Sequence, residues 1–304
     1  MKNEKPRISV VVPTFNRCHA LPKALNSVLR QSVQPIEIIV IDNNSQDNTL
    51  DEIRSNFPSI KLLVEKKQGV SAARNLGIRA SIGNWVAFLD SDDEWLSNKL
   101  ERQIEVCNNF SKSVRLIHTN EIWKKDNKVI NQKKKHQKAG RNIFLACLSM
   151  CCISPSSVLL RKDVFEDLGY FDENLPACED YDFWLRFCAK EDVFFIDENL
   201  IVKHGGHSDQ LSRKYWAMDR FRVYSLEKLI ITGDISLENK MASIKMLMFK
   251  LNVLIKGGLN RGNMPLIDFY SEKKNFWTNF VKDPQRAQQI RNVEMNENFR
   301  FYFE

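Results

Sequence analysis

The sequence lacks the features of several protein classes. It has 304 residues, of which only 11 are glycine and 9 are proline, so collagen-like and low-complexity chains are excluded. Its seven cysteines are odd in number and include no C-x-x-C pair, which argues against a disulfide framework and favours a reducing, cytosolic setting. No apolar segment with basic flanks opens the sequence, so no secretory signal is expected.

Long apolar runs are missing as well. The longest uncharged stretch, residues 142–160, contains Asn142, Pro155 and four serines, whose polar groups would be costly in lipid. We therefore predict a buried helix, a turn and a core strand here instead of a membrane span. The adjacent Cys151 and Cys152 are interpreted as small buried apolar side chains.

Common nucleotide and nucleic-acid motifs are absent. No G-x-G-x-x-G follows the first predicted strand and no G-x-x-x-x-G-K-[ST] occurs, so a dinucleotide-binding dehydrogenase and a P-loop NTPase lose their main support. The net charge of +7 is concentrated in residues 111–141 and 211–304. The lysine-rich run at 133–138 has no interleaved aromatic residues, so no nucleic-acid partner is expected. This run is interpreted either as a solvated loop or as a patch attracted to an anionic membrane face.

Strands and helices alternate over the first hundred residues. Short apolar runs, the first of them β-branched, predict strands at 7–13, 37–42, 60–64 and 85–90. Helical apolar spacing predicts helices at 21–31, 49–56 and 71–80. Such alternation is typical of βαβ units around a parallel sheet, so we predict an α/β fold.

The pattern is less regular after residue 100. We predict helices at 99–107, 164–168 and 181–189, strands at 114–123, 156–160, 193–196 and 200–203, and a charged excursion at 124–140. From Tyr215 onward the chain is predicted to be helical, with an apolar stripe from Ile244 to Ile255 and a helix end at Gly257-Gly258. The stripe is interpreted as core or as a subunit contact, which leaves a homodimer through the C-terminal helices open.

Polar side chains follow three of the predicted strands, at Pro13–Asn16, Asp42–Ser45 and Asp90–Asp93. Ligands of parallel sheets bind beyond the carboxyl ends of the strands, so these groups indicate a site. Three crowded carboxylates repel one another, and a divalent cation is the natural counter-charge. Hard oxygen ligands favour Mg²⁺ or Mn²⁺, which typically bridge one or two carboxylates to substrate phosphates. The alternative is a solvated acidic turn, with Asp92 or Asp93 capping the next helix.

Four ordered motifs resemble those of the family 2 glycosyltransferases, which are nucleotide-sugar enzymes of GT-A fold. They are ISVVVPTFNR at 8–17, VIDNNSQDNT at 40–49, GVSAARN at 69–75 and FLDSDD at 88–93. The resemblance covers roughly residues 7–210. It implies a GT-A domain at 1–212 with a mostly parallel, Rossmann-type sheet flanked by helices. Its nucleotide-sugar half would span about 1–110 and its acceptor half about 111–212, with a helical extension at 213–304.

The resemblance implies a nucleotide site on the first three motifs. Pro13, with Thr14 beside it, lies where the family's first strand meets the nucleotide. Asp42 and Asn43 fall at the base-binding turn, and Arg74 matches an arginine near the base and diphosphate, although a surface salt bridge is its alternative role. The family often has Asp-Asp-Gly-Ser where this chain has DNNS at 42–45, which weakens the case for UDP over other nucleotides. An amide oxygen can still accept a hydrogen bond from a uracil N–H.

The resemblance also implies a metal ligand and a base. Asp90 and Asp92 match the family's D-x-D pair, with the first near the ribose and the second on Mn²⁺ or Mg²⁺, and Asp93 is a further candidate. Glu179 and Asp180 match a Glu-Asp pair, in which the aspartate accepts the proton of the acceptor hydroxyl. The alternative for both is an ordinary acid in the first turn of a helix.

The glycine-rich loop at 202–212 carries His204 and His207. Many family members have a histidine here, so His207 is assigned to the metal and His204 is a second candidate. Both are alternatively loop histidines on a substrate lid.

These observations predict an inverting, metal-dependent glycosyltransferase that uses a nucleotide-sugar donor, with UDP the expected nucleotide. The acceptor is expected to be a glycan or a lipid-linked hydroxyl in polysaccharide, glycolipid or glycoprotein synthesis. We expect the protein to be cytoplasmic, with peripheral contact at the inner membrane face through its basic patches. A nucleotidyltransferase and a non-catalytic nucleotide-sugar-binding protein on the same fold are the alternatives.

Overall fold

The computed structural model describes residues 5–110, 114–126, 128–206 and 214–282. Its contacts divide the chain into two units. The first unit comprises Met1–Ile143, Cys152–Asn174 and Glu191–Gln210, and the second comprises Phe144–Cys151, Leu175–Lys190 and Leu211–Glu304.

The first unit begins with four parallel strands that alternate with helices, as predicted. The strands are β1 (Ile8–Thr14), β2 (Glu37–Asp42), β3 (Lys61–Val64) and β4 (Trp85–Phe88), and the helices are α1 (Leu21–Leu29), α2 (Thr49–Asn56) and α3 (Val70–Ala80). Their order in the sheet is β3-β2-β1-β4. Because Thr14 pairs with Asp42 in register, the carboxyl ends of β1 and β2 lie side by side.

The sheet continues beyond β4 with strands of mixed direction. These are β5 (Glu94–Trp95), β6 (Leu116–Lys125), β7 (Lys128–Ile130), β8 (Leu159–Arg161) and β9 (Phe194–Gly205), together with helices α4 (Lys99–Phe110) and α6 (Val164–Leu168). The order runs β4-β8-β6-β9-β5, and β7 pairs with β6. The two-residue strand β5 pairs antiparallel with β9, so Glu94 lies opposite Val202. This pairing places the acidic run after β4, which comprises Asp90, Asp92, Asp93 and Glu94, next to the end of β9.

Apolar side chains from both parts of the sheet form one core. Val10, Val40, Ala87 and Leu159 are each fully buried in it. Removing such side chains from water is the main favourable term in folding. The core therefore fixes the strands whose ends carry the polar groups.

The second unit is helical among its described residues. Its helices are α5 (Phe144–Ser149), α7 (Glu179–Cys188), α8 (Asp219–Thr232), α9 (Leu237–Arg261) and α10 (Met264–Lys282). Buried polar contacts tie them together: the indole N–H of Trp277 donates to Glu227 at 2.8 Å. None of the helices in the described ranges is long and apolar enough to cross a bilayer.

Several sequence predictions need correction. Residues 155–157 form a short 3₁₀ helix before β8, and the two predicted strands at 193–203 are a single strand, β9. Gly257-Gly258 does not end a helix, because α9 continues to Arg261 and ends at Gly262 in the left-handed conformation. A Cβ on Gly258 would lie 2.9 Å from Ile267 Cγ1. This glycine therefore permits close packing of α9 against α10.

Candidate functional site

The carboxyl ends of β1 and β2 are joined by hydrogen bonds between their following turns. Asp42 is fully buried, and its Oδ2 accepts from the backbone N–H of Ser45 at 3.0 Å. The hydroxyl of Ser45 accepts from the N–H of Asn16 at 2.9 Å. The buried Oδ1 of Asp42 and Oγ1 of Thr14 have no hydrogen-bond partner among the residues that the structure describes. Two adjacent buried acceptors without partners are the kind of group that a ligand satisfies.

Asn43 has a structural role that was not predicted from the sequence. Its amide nitrogen donates to the carbonyl oxygens of Glu65 and Lys67 at 3.0 and 2.8 Å. Its amide oxygen accepts from the N–H of Gly69 at 2.7 Å. The side chain thus fixes the connection from β3 to α3. Since the amide nitrogen donates twice and the amide oxygen already accepts from Gly69, Asn43 shapes the turn, and Asp42 is the better candidate for a base contact.

Each carboxylate of the acidic run has a basic side chain beside it. Arg74 lies 2.7 Å from Asp90, Arg17 lies 3.8 Å from Asp92, and Lys203 lies 3.2 Å from Asp93. Glu94 lies 2.8 Å from Lys23 and 2.6 Å from His204. The protein itself therefore supplies most of the counter-charge that the sequence had led us to expect from a metal ion.

The first two acids of the run differ in how readily they ionise. Burial opposes ionisation of Asp90, but the positive charges of Arg74 and Lys203 outweigh burial and place its pKa below the ordinary value. Burial and then the negative charge of Asp90 raise the pKa of Asp92, against the charges of Lys203 and Arg17. Asp92 therefore has the weaker cationic compensation of the two.

Asp93 is an internal group. Its side chain is only 2% exposed, and its Oδ2 accepts from the hydroxyl of Ser156 at 2.6 Å. Burial raises its pKa to about 7 in spite of the charge of Lys203. The same hydroxyl accepts from the backbone N–H of Asp90 at 3.1 Å, so Asp93 helps to fix the end of β4. The alternative of a solvated capping turn is wrong, because Asp93 is buried and α4 begins only at Lys99.

Asp92 suits a divalent metal better than any other acid of the run. Its side chain is 24% exposed, and its nearest cation, Arg17, is 3.8 Å away. No three acidic, histidine or cysteine side chains converge as a preformed metal site within the described ranges. Mg²⁺ and Mn²⁺ sites on phosphorylated substrates commonly use one or two carboxylates and complete their shell with substrate oxygens. The donor set at Asp92 therefore fits a metal that arrives with a diphosphate.

Arg74 is a buried link between α3 and the acidic run. Its side chain is 3% exposed, and its guanidinium also lies over the ring of Phe171, 5.5 Å from the ring centre. The alternative role as a surface salt bridge is wrong, since the ion pair with Asp90 is internal on the arginine side. Arg74 thus holds Asp90 in place through a hydrogen-bonded ion pair.

The second acidic cluster lies in the first turn of α7, within the second unit. Asp182 is 2% exposed and lies 3.0 Å from both Arg186 and Lys228, so it is a structural ion-pair partner. Glu179 is buried. Asp180 is half-buried; its Oδ1 accepts from the N–H of Tyr181 at 2.7 Å. Of the three acids, Asp180 is the most accessible to a substrate.

Of the two loop histidines predicted as metal-ligand candidates, the structure describes one. His204 lies at the end of β9, with its Nε2 2.6 Å from Glu94, so the structure directs it to that carboxylate. His207 lies outside the described residues.

Sequence reasoning missed the basic residues around the acidic run and the partner of Asp180. Lys203 follows the apolar residues of β9, and a lysine at the end of a buried strand was the available signal. Cys151 was interpreted as an inert buried side chain, but its Sγ lies 3.1 Å from Asp180 Oδ2. No spacing in the sequence connects Cys151 to Asp180, because 29 residues separate them.

Comparison with known proteins identifies the family. The model of "Glycosyl transferase family 2" matches residues 9–169. A UDP-Glc:alpha-D-GlcNAc-diphosphoundecaprenol beta-1,3-glucosyltransferase, WfgD of Escherichia coli, is 30% identical over 82% of this chain and 93% of its own length. The chain therefore belongs to glycosyl transferase family 2, which confirms the family predicted from the motifs. Five uncharacterized rickettsial glycosyltransferases also match at 28–30% identity, and the matches span only 31–65% of their lengths.

Solved structures confirm the GT-A fold. TarS of S. aureus in complex with UDP-GlcNAc has a TM-score of 0.63 at 20% identity, covering 81% of this chain and 72% of TarS. The mannosyltransferase PcManGT from Pyrobaculum calidifontis, in complex with GDP-Man and Mn²⁺, has a TM-score of 0.58 at 16% identity and covers 95% and 84% of the two chains.

Proposed function

We propose that this protein is an inverting, metal-dependent glycosyltransferase that moves a sugar from a UDP-sugar to a hydroxyl of a lipid-linked acceptor. The observation that carries the proposal is the sheet edge at β1, β2 and β4, where Asp42, Arg17 and Asp92 are linked through the 14–17 turn. Family membership and the relative with a UDP-glucose donor and a diphosphoundecaprenol acceptor support the substrate classes.

The nucleotide would occupy the edge formed by β1 and β2. The unpartnered acceptors at Asp42 and Thr14 suit the N–H and hydroxyl donors of a nucleoside, and the backbone at Pro13 runs beside them. Arg74 keeps Asp90 ionised and oriented, so that Asp90 can accept from a ribose hydroxyl. Asn43 supports the turn through its contacts with the 65–69 segment.

Asp92 would hold the metal together with the donor diphosphate. When bound, Mn²⁺ or Mg²⁺ supplies positive charge that offsets the charge developing on the leaving diphosphate. The solved mannosyltransferase in complex with Mn²⁺ supports a divalent metal as the cofactor. Arg17 beside Asp92 adds a fixed positive charge toward the same group.

Asp180 would act as the base. It accepts the proton of the acceptor hydroxyl while that oxygen forms a bond to the anomeric carbon, and the bond from that carbon to the diphosphate oxygen breaks. The nucleoside diphosphate leaves with the electron pair, and a single displacement inverts the anomeric centre. Asp180 suits this role because it is accessible, whereas Asp182 is buried and forms ion pairs with Arg186 and Lys228.

We further propose that the protein acts at the cytoplasmic face of a membrane, where a lipid-linked acceptor lies. Helix α9 exposes Phe249 and Leu259, each 61% exposed, and Lys245 and Lys256 lie on the same exposed face. This mixture of apolar and basic residues suits an anionic lipid surface. It suits a twofold dimer less well, because like charges would then face each other. Flotation with anionic vesicles and the molar mass in solution distinguish the two uses.

Two measurements test the proposed function: a transfer assay with synthetic diphospholipid acceptors, and the thermal shift caused by nucleotide binding. We expect UDP, but not GDP or CDP, to raise the melting temperature, and Mn²⁺ to increase the shift. Asp92→Asn is expected to lose the metal-dependent part of the shift, and Asp180→Asn to lose transfer while binding UDP normally. Full turnover in either variant, or a shift with GDP alone, would overturn the proposal. Asp51→Asn, an exposed acid on α2, is the matched control and should behave as the wild type.

A further inference from the structure

We propose that Cys151 is a positioning residue for Asp180, an inference that rests on the proposed function of Asp180 as the base. The Sγ of Cys151 lies 3.1 Å from Asp180 Oδ2, within hydrogen-bond distance for a thiol donor. The N–H of Tyr181 donates to Oδ1 of the same carboxylate at 2.7 Å. Because each oxygen has its own donor, the plane of the carboxylate is fixed.

The segment that carries Cys151 is itself anchored within the second unit. Lys250, on α9, is 3% exposed and donates to the carbonyl oxygen of Ser149 at 3.0 Å. The hydroxyl of Tyr181 donates to the carbonyl oxygen of Leu148 at 2.8 Å. These two bonds fix the end of α5 just before Cys151. The thiol is therefore presented to Asp180 by a rigid support, and the C-terminal helix α9 contributes to that support.

A thiol suits this position better than a basic side chain does. Asp182, two residues later on α7, is bridged by Arg186 and Lys228, and an ion pair of this kind neutralises a carboxylate as well as orienting it. A neutral donor orients the carboxylate and leaves its negative charge available for an incoming proton. In the proposed reaction the thiol keeps its own proton, and the proton of the acceptor hydroxyl goes to Asp180.

The backbone before Asp180 supports the same interpretation. Cys178, the residue before α7, has a left-handed conformation with φ of 63°, which is uncommon and costly for a non-glycine residue. Such strain at the start of a helix fixes the direction in which its first turn points. Cys151 then fixes the side chain on that turn.

Four variants test the inference through kcat, the KM for the nucleotide sugar and UDP affinity. Cys151→Ala and Cys151→Val remove the donor, and Val fills the volume that Ala leaves empty. Cys151→Ser keeps a donor. Cys152→Ala, next in the chain and also half-buried, is the matched control.

We expect Cys151→Ala and Cys151→Val to lower kcat about tenfold with unchanged UDP affinity and unchanged KM for the nucleotide sugar. Cys151→Ser should return kcat to within about threefold of the wild type, and Cys152→Ala should match the wild type. If Cys151→Ala does not fold, the comparison of Val with Ser decides the question. Wild-type kcat in Cys151→Val, or a serine variant as slow as the valine variant, would overturn the inference. Turnover by Asp180→Asn would instead overturn the proposed function, so the two failures are distinguishable.

Discussion

The ammonium of Lys203 lies 3.2 Å from Oδ2 of Asp93, at the point where β9 passes the acidic run that follows β4. Burial disfavours the charge of Lys203, but the carboxylates of Asp93, Asp90, Glu121 and Asp92 outweigh burial and raise its pKa. One lysine thus balances three carboxylates that follow β4 and a fourth, Glu121, within β6. It connects the mixed half of the sheet to the proposed nucleotide site.

Loss of Lys203 should destabilise the protein. Lys203→Met leaves Asp93, which is 2% exposed, without its cation, and breaking a buried ion pair costs about 3 kcal/mol. The double variant Lys203→Met/Asp93→Asn removes both charges and should recover at least half of this loss. Urea unfolding of the three variants measures the pair interaction. A double variant no more stable than Lys203→Met would show that the pair does not account for the loss.

Arg74 should be needed both for stability and for nucleotide binding. We expect Arg74→Ala to lower the free energy of unfolding by about 3 kcal/mol, since it leaves Asp90 beside a cavity without its closest cation. It should also weaken UDP binding at least tenfold. The control is Arg79→Ala, an exposed arginine of the same helix whose contact is a cation–π pair with Tyr170. Calorimetric titration with UDP and thermal unfolding provide both measurements, and equal effects of the two substitutions would contradict the expectation.

His118 should make stability depend on pH. Burial, with a smaller effect of the charge on Lys138, lowers its pKa to about 3. The unfolded state binds a proton near pH 6.5, whereas the folded state stays neutral, so stability falls as the pH decreases below about 6.5. Between pH 7 and pH 5 this histidine should account for about 2 kcal/mol of lost stability.

The matched variant for this measurement is His118→Gln, which can still donate toward the carbonyl oxygen of Ala139, 2.9 Å from His118 Nε2. Urea unfolding at the two pH values should show a smaller decrease in the variant by about that amount. An identical decrease in both proteins would mean that His118 does not remain neutral in the folded state.

The two adjacent glycines of α9 should respond in opposite ways to alanine. A Cβ on Gly257 would meet only the end of the Arg261 side chain, which can move, so Gly257→Ala should stabilise by about 0.5–1 kcal/mol through helix propensity. A Cβ on Gly258 would lie 2.9 Å from Ile267 and 3.3 Å from Leu266, so Gly258→Ala should destabilise by about 1–2 kcal/mol. Thermal unfolding of both variants tests the packing of α9 on α10, and effects of the same sign would contradict it.

The sequence by itself determined the βαβ half of the fold and the family. Buried parallel strands consist of near-continuous apolar runs, so β1, β2 and β4 were visible as local patterns, and the motifs at their ends stood at fixed spacing. The family motifs also placed Asp42, Asp92 and Asp180 in their candidate roles. Such signals are local, because they depend on a few neighbouring residues.

Only the tertiary structure decided which side chains serve those residues. The cations around the acidic run come from the 14–17 turn, α1, α3 and β9, and Cys151 reaches Asp180 from a segment 29 residues earlier. Gly258 was likewise predicted to end a helix, whereas in the structure it lies inside α9 and packs against α10. Charge neutralisation and close packing join residues that are distant in the chain, and no local pattern records such pairs because folding alone brings them within a few ångströms.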